Sequence, residues 1–110
     1  WSVERLKPLH ERARVNLDAV GVCDVRLVWG DGRLGHAPNA PYDTIVAAAG
    51  GEELPAPWLE QLAVGGRLVA PLHSPAHDGQ VLVVVDRTES GWQRTTCDAV
   101  HFVPLKSGVV

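Results

Sequence analysis

Two acidic residues stand where the sequence predicts that a β-strand ends. Glu4 closes the short extended segment at the start of the chain, and Asp31 lies between two glycines after a run rich in β-branched residues. In open α/β sheets ligands bind at the carboxyl ends of the strands, where a carboxylate accepts hydrogen bonds from ribose hydroxyls or from an exocyclic amine. The alternative for Glu4 is a solvated strand end that pairs with Arg5 or Lys7, and the alternative for Asp31 is an ordinary Asp-Gly turn. The two acids therefore need support from the elements around them.

The histidines, and the absence of two common catalytic motifs, bear on whether the chain has a metal site or a covalent nucleophile. His73 and His77 have a spacing that could suit a metal, but Pro75 between them excludes a helix and no acid or cysteine adds an obvious third ligand. The chain has no Gly-x-Ser-x-Gly elbow and no phosphate-binding glycine loop. These residues predict neither a metal site nor a covalent nucleophile.

Composition limits the partners. The chain has 110 residues, 45% hydrophobic and 21% charged, with a formal net charge of −3. This composition fits one small domain and argues against binding to nucleic acid or anionic lipid, since both need clustered Lys and Arg. No apolar run is long enough to span a membrane. The only cysteines, Cys23 and Cys97, predict a reducing cytoplasm, and Cys97 reads as a buried apolar residue.

The first half of the chain predicts a strand, a helix and two more strands. Apolar residues three and four apart, with Pro8 in the first turn and Gly21 at the stop position, predict a helix over 7–19. Residues 22–29 read as a strand. The run 42–49, which ends at Gly50-Gly51, reads as a strand buried on both faces.

The second half predicts a helix, a strand and a hairpin. Residues 54–62 read as a short helix that Gly65-Gly66 terminates, 67–72 as a buried strand and 73–79 as a loop. Residues 80–86 and 92–103 read as an antiparallel hairpin, because no helix separates them. This order predicts an α/β fold with a mostly parallel sheet and an antiparallel hairpin near its end. From the residues alone, the interpretation stops at a domain of the nucleotide-cofactor kind.

A resemblance to a known family goes further. The segments that carry it follow one another along essentially the whole chain: Ser2-Val3-Glu4-Arg5, Gly30-Asp31-Gly32-Arg33-Leu34-Gly35, Ala40-Pro41-Tyr42-Asp43-Thr44-Ile45-Val46, Gly65-Gly66-Arg67-Leu68-Val69-Ala70-Pro71 and Val100-His101-Phe102-Val103-Pro104-Leu105. In this order and spacing they resemble the protein-L-isoaspartate (D-aspartate) O-methyltransferases. The run Phe102–Leu105 is the most family-specific piece.

The resemblance implies a Rossmann-like methyltransferase fold that uses S-adenosylmethionine. The implied reaction methylates the α-carboxyl of L-isoaspartyl residues in damaged proteins and peptides, and the ester then permits succinimide formation and reopening to aspartate. Carried over by position, the implied cofactor contacts are Glu4 to the ribose, Asp31 and Gly32 to the adenine, and Ala48 at the end of the third strand. The implied border of the isoaspartyl pocket is Val103, Pro104 and Leu105.

Departures from the family pattern make further expectations. Lys106 stands where many relatives have a threonine, and Gly50-Gly51 stands where they often have Ala-Pro or Pro-Pro. The glycine-rich cofactor loop and the central strand of the family would precede Trp1, so residues 1–110 are expected to be the C-terminal part of a single methyltransferase domain. The strands ending at Glu4 and Ala48 would then flank a gap. Upstream residues could fill it, a homo-oligomeric partner could fill it, or the two strands could pair directly.

Two other classes stay open from the sequence. A dehydrogenase of the NAD type also places an acid after its second strand. A non-catalytic remnant that persists as an interaction module would have the same elements.

Overall fold

A computed structural model describes residues 1–110 and contains eight strands and two helices. In chain order they are β1 (Ser2–Glu4), α1 (Lys7–Ala19), β2 (Leu27–Trp29), β3 (Tyr42–Val46), β4 (Ala49–Gly50), α2 (Ala56–Glu60), β5 (Leu62–Ser74), β6 (Gly79–Thr88), β7 (Gly91–Val100) and β8 (Val103–Pro104). Short 3-10 turns cover Gly32–Leu34, Ala37–Asn39 and Pro75–His77.

The strands form three sheets. β1 pairs with β2 in parallel, and β4 pairs with β8 in parallel. The largest sheet has the order β3-β5-β6-β7, in which β3 and β5 are parallel while β6 is antiparallel to both β5 and β7. Three of the five pairings, β1–β2, β3–β5 and β4–β8, are thus parallel. The architecture is the predicted mixed α/β type.

Helix α1 has the predicted bounds, Lys7–Ala19. Pro8 lies in its first turn, where its missing N–H leaves no hydrogen bond unmade, and Gly21 follows the helix with a φ of +75°. Only His10 is buried in this helix, while Leu9 is 44% exposed. The local periodicity therefore predicted the helix correctly, although the rest of the chain covers only part of the apolar stripe of the helix.

The second and third strands are shorter than predicted. β2 contains only residues 27–29 of the predicted 22–29. The run 42–49 divides into β3 and β4, with Ala47 and Ala48 between them. β3 is not buried on both faces, since Val46 is 71% exposed. The reason is that Val46 and other residues of β3 border an open cleft, so no packed layer covers that side of the strand.

The Gly65-Gly66 pair lies inside β5 and does not end a helix. Helix α2 is only five residues long, and Leu62 already belongs to β5. Gly65 has a φ of +84°, and a Cβ on Gly66 would lie 2.9 Å from the backbone oxygen of Asp43 in β3. The β3–β5 register shifts at this point. The glycines form an irregularity that lets two strands approach closely, which local composition does not distinguish from a helix stop.

The strands of the hairpin region begin and end at other residues than predicted. β5 continues through His73 and Ser74, which were predicted to be loop. The predicted strand 92–103 divides into β7, which ends at Val100, and β8, which leaves the hairpin to pair with β4. His101 therefore lies between two strands. This change of sheet returns residues 103–105 to the residues that follow β3.

The hydrophobic core lies around β5, β6 and α2. Its buried side chains come from alternating positions of the two strands, with one tryptophan from the helix: Leu62, Leu68, Ala70, Val81, Val83, Val85 and Trp58. Cys97 was predicted to be buried, but it is exposed on β7, whose residues are mostly exposed. The core therefore reaches β5 and β6 but not β7.

Substituting alanine for each glycine of the Gly50-Gly51 pair tests how tightly this region is packed. A Cβ on Gly50 would lie 2.6 Å from Nε2 of Gln80 and 3.1 Å from the backbone oxygen of Pro71, whereas a Cβ on Gly51 would meet no atom closer than 3.6 Å. We expect Gly50→Ala to lower the free energy of unfolding of the complete protein by about 1–3 kcal/mol, the range for overpacking. Gly51→Ala is the matched control and should change little. Equal losses in urea unfolding would contradict this account.

Candidate functional site

A cleft of about 840 Å³ lies between β1 and β3. Six of the seven sequence-predicted site residues line it: Glu4, Gly32, Ala48, Val103, Pro104 and Leu105. Trp1 and several residues of β3, among them Ile45, also line it. The structure therefore brings both ends of the chain and its middle to one place.

The strand pairings explain why these distant residues meet. Because β1 and β2 are parallel, Glu4 at the end of β1 lies near the turn that follows β2 and contains Gly32. The β4–β8 pairing sets Ala49 opposite Val103 and Gly50 opposite Pro104. The N–H of Leu105 also donates to the carbonyl oxygen of Gly50 at 2.9 Å. Parallel strands place their carboxyl ends at one edge, as the sequence argument required.

The carboxylate of Glu4 is half-buried and oriented by the backbone. Its Oε1 accepts a hydrogen bond from the N–H of Leu6 at 3.0 Å. It forms no ion pair with Arg5 or Lys7, which was the alternative reading of this residue. A carboxylate has about four acceptor positions, so most of its capacity is left for donors in the cleft. Ribose hydroxyls are donors of this kind.

Unlike Glu4, Asp31 has both carboxylate oxygens engaged by backbone N–H groups of the protein. Its Oδ1 accepts from the N–H of Arg33 at 2.9 Å, and its Oδ2 accepts from the N–H of Gly108 at 2.8 Å. Asp31 is not among the residues that line the cleft. The hydrogen bond from Gly108 is the main cause that lowers the pKa of Asp31, and partial burial opposes it. A lowered pKa means that these contacts stabilise the fold above the ordinary pKa of the carboxyl and are lost as the pH falls through the folded-state pKa.

The segment Ser107–Val110, called the strap below, lies across the ends of β1 and β2. Arg5 donates through Nε to the carbonyl oxygen of Gly108 at 3.1 Å. The backbone of Val110 both donates to Arg5 (2.9 Å) and accepts from Lys7 (2.8 Å). The strap therefore fastens the turn after β1 to the turn after β2, and Asp31 is one of its anchors.

Sequence reasoning missed the side chains that hold the 32–36 turn. Nε1 of Trp58 donates to the carbonyl oxygen of Gly32 at 2.7 Å. Gln61 accepts from the N–H of His36 at 2.9 Å and donates to the carbonyl oxygen of Leu34 at 3.0 Å. The ring of His36 stacks on Trp1 with 4.8 Å between the ring centroids. No motif marks Trp58 and Gln61, because their contacts join helix α2 and the residue after it to a turn more than twenty residues earlier.

The histidines and cysteines outside the cleft do not group into a metal site. His73 lies 4.0 Å from Oε2 of Glu52, while His77 faces Ser74, so the two histidines have different partners. No three His, Cys, Asp or Glu side chains group as metal ligands would. Cys23 and Cys97 are unpaired and exposed. Neither helix has the length and apolar character that crossing a bilayer requires.

The fold and the cleft together define a class: α/β proteins whose ligands bind where parallel strands end. Within this class, a family model described as protein-L-isoaspartate (D-aspartate) O-methyltransferase matches residues 1–110, and the chain belongs to that family. The resemblance found from the motifs is thus confirmed.

Similar proteins from bacteria carry the same family name. The chain is 59% identical over 108 residues to a protein-L-isoaspartate O-methyltransferase of Methylibium petroleiphilum, covering 97% of this chain and 40% of the relative. It is 55% identical to one of Leptothrix cholodnii, covering 98% of this chain and 38% of the relative. The chain therefore spans about two fifths of the length of these relatives.

Two solved structures share the fold. A protein-L-isoaspartate O-methyltransferase superposes with a TM-score of 0.87 at 27% identity, covering 98% of this chain and 34% of the other. A second structure, from Plasmodium falciparum and in complex with S-adenosyl-L-homocysteine, gives a TM-score of 0.81 at 22% identity, covering 94% of this chain and 50% of the other.

Proposed function

We propose that the protein containing this chain transfers a methyl group from S-adenosylmethionine to the α-carboxyl of L-isoaspartyl residues in damaged proteins and peptides. One observation carries the proposal. Three of the four residues that the family resemblance assigns to the cofactor and all three that it assigns to the peptide line the same cleft, although Glu4 and Leu105 are about a hundred positions apart. Membership of the family favours this reaction over a dehydrogenase of the NAD type.

The residues that line the cleft fit an adenosyl cofactor. Glu4 offers free acceptor positions for ribose hydroxyls, and Gly32 and Ala48 leave room at the wall for a flat ring. In our proposal Asp31 acts on the adenine side by holding the turn that contains Gly32. When bound, S-adenosylmethionine supplies a methyl group on a sulfonium, and an in-line displacement of this kind depends mainly on positioning. Residues 103–105 would set the peptide carboxylate against that methyl group.

We further propose that residues 1–110 are the C-terminal part of one methyltransferase domain. β1 and β3 both line the cleft, and each is hydrogen-bonded to a neighbour on one side only. They do not pair with each other, so direct closure of the gap, one of the three expected arrangements, is wrong. A strand from another part of the complete protein, or from a second copy, would fill the space between them.

The exposed, unpaired cysteines support a reducing compartment such as the cytoplasm.

Methyl transfer by the complete protein tests the function. Labelled S-adenosylmethionine is offered with an isoaspartyl peptide and with the aspartyl peptide of the same sequence. We expect label in the first peptide only. Binding of S-adenosylhomocysteine without transfer would favour a non-catalytic interaction module, and preferential binding of NAD would favour the dehydrogenase class.

Removing the carboxylate of Glu4 should weaken cofactor binding. Glu4→Ala leaves the ribose hydroxyls without their acceptor, which corresponds to about 1–3 kcal/mol, or roughly a 5- to 150-fold higher Kd. Titration calorimetry of the complete protein with S-adenosylhomocysteine measures this. Glu89→Ala, in the exposed turn between β6 and β7, is the control and should leave the Kd unchanged. An unchanged Kd for Glu4→Ala would mean that Glu4 is only a surface acid.

A further inference from the structure

Arg33 connects the two walls of the cleft without lining it. Its Nη2 donates to the carbonyl oxygen of Leu105 at 2.8 Å, across 72 positions of sequence. Its own backbone N–H donates to Asp31, and its neighbour Gly32 lines the cleft. One side chain thus joins the turn on the cofactor side to the segment on the peptide side.

The environment of the guanidinium holds it in this place. Nε of Arg33 is shielded from water and has no acceptor, so the link to Leu105 has to offset the desolvation of that N–H. Leu105 is fixed on its other side by the hydrogen bond from its N–H to Gly50. A movement of the 31–35 turn would therefore be transmitted to Leu105.

The strap, which follows Leu105 in the chain, makes a second connection between the same two parts of the molecule. Asp31, in the same turn as Arg33, accepts from Gly108, and Arg5 donates to the carbonyl oxygens of Ser107 and Gly108. The residues that follow the peptide-side segment are thus held by the turns after β1 and β2. Both links join the same two parts of the molecule.

We propose that Arg33 is a positioning residue that couples the cofactor site to the peptide site. Ordering of the 31–35 turn by the cofactor fixes the carbonyl of Leu105, and with it residues 103–105, in the geometry that receives the peptide. Linkage then requires that the peptide tighten cofactor binding by the same factor. The inference rests on the proposed function and adds to it the side chain that joins its two sites.

The test is the coupling factor in the complete protein. The Kd of S-adenosylhomocysteine is measured by calorimetry with and without a saturating isoaspartyl peptide. For the unaltered protein we expect the peptide to lower the Kd about tenfold, within the usual range of coupling. Arg33→Met keeps an unbranched apolar stem but removes the donor, and should lower the factor toward one, while the strap retains part of the coupling. Arg33→Lys, which keeps a cationic donor, should restore part of it.

A matched control separates coupling from the loss of any arginine. Arg67→Met removes an exposed guanidinium that pairs with Asp86 at 2.8 Å on β6, and should leave the factor unchanged. The proposal is overturned if the unaltered protein has a factor of one, or if Arg33→Met keeps the full factor. Should Arg33→Met not fold, the factor in Arg33→Gln decides the same question. Failure of the unaltered protein to bind S-adenosylhomocysteine at all would instead overturn the proposed function.

Discussion

The 110 residues, purified on their own, are expected to transfer no measurable methyl group to an isoaspartyl peptide. β1 and β3 form facing walls of the cleft, but each lacks a partner on one side. Unpaired backbone groups that become buried cost about 1–3 kcal/mol each. Several of them would approach the whole stability of a small domain, about 5–15 kcal/mol. β1 and β3 share no backbone hydrogen bond, so the separation of the two walls rests on side-chain links such as Arg33 to Leu105 and Trp58 to Gly32. The in-line geometry of methyl transfer depends on that separation.

A radiolabel assay measures this loss against the complete protein at equal concentration. The same isoaspartyl peptide and the same labelled S-adenosylmethionine are used for both. Turnover by the 110 residues comparable to that of the complete protein would contradict our account. It would mean that the cleft between β1 and β3 needs no further strand.

Truncation of Leu68 should give a large loss of stability. Leu68 has no exposed surface, lies in the middle of β5, and is paired with Ile45 of β3 and Val85 of β6. Leu68→Ala removes buried methyl groups and leaves a cavity between strands that cannot collapse freely. We expect the free energy of unfolding of the complete protein to fall by about 2–5 kcal/mol.

Val64→Ala is the control for Leu68→Ala, because it lies on the same strand but is 57% exposed. It should lower the free energy of unfolding by less than about 1 kcal/mol. Urea unfolding of both variants, with unchanged m-values, provides the comparison. Equal losses would show that the core does not lie between β5 and β6 as described.

Local sequence determined those elements whose side chains repeat with the period of the backbone. The helix over 7–19 follows from apolar residues at helical spacing with a proline at its start, and these signals lie within a few turns of one another. Glu4 was also placed correctly at the end of β1. The joint order of the family motifs then identified the family, which the match over residues 1–110 confirms.

Tertiary structure decided the features that depend on residues far apart in the chain. The Gly65-Gly66 pair belongs to β5 because the backbone of Asp43 approaches it, and no local pattern contains that contact. Residues 103–104 leave the hairpin because β4 offers a parallel partner. Asp31 is turned to Gly108, and Arg33 to Leu105, across more than seventy positions. A single sequence encodes backbone periodicity directly, but it gives no sign of which distant donors and acceptors meet, since that choice is made only when the sheets and the cleft have formed.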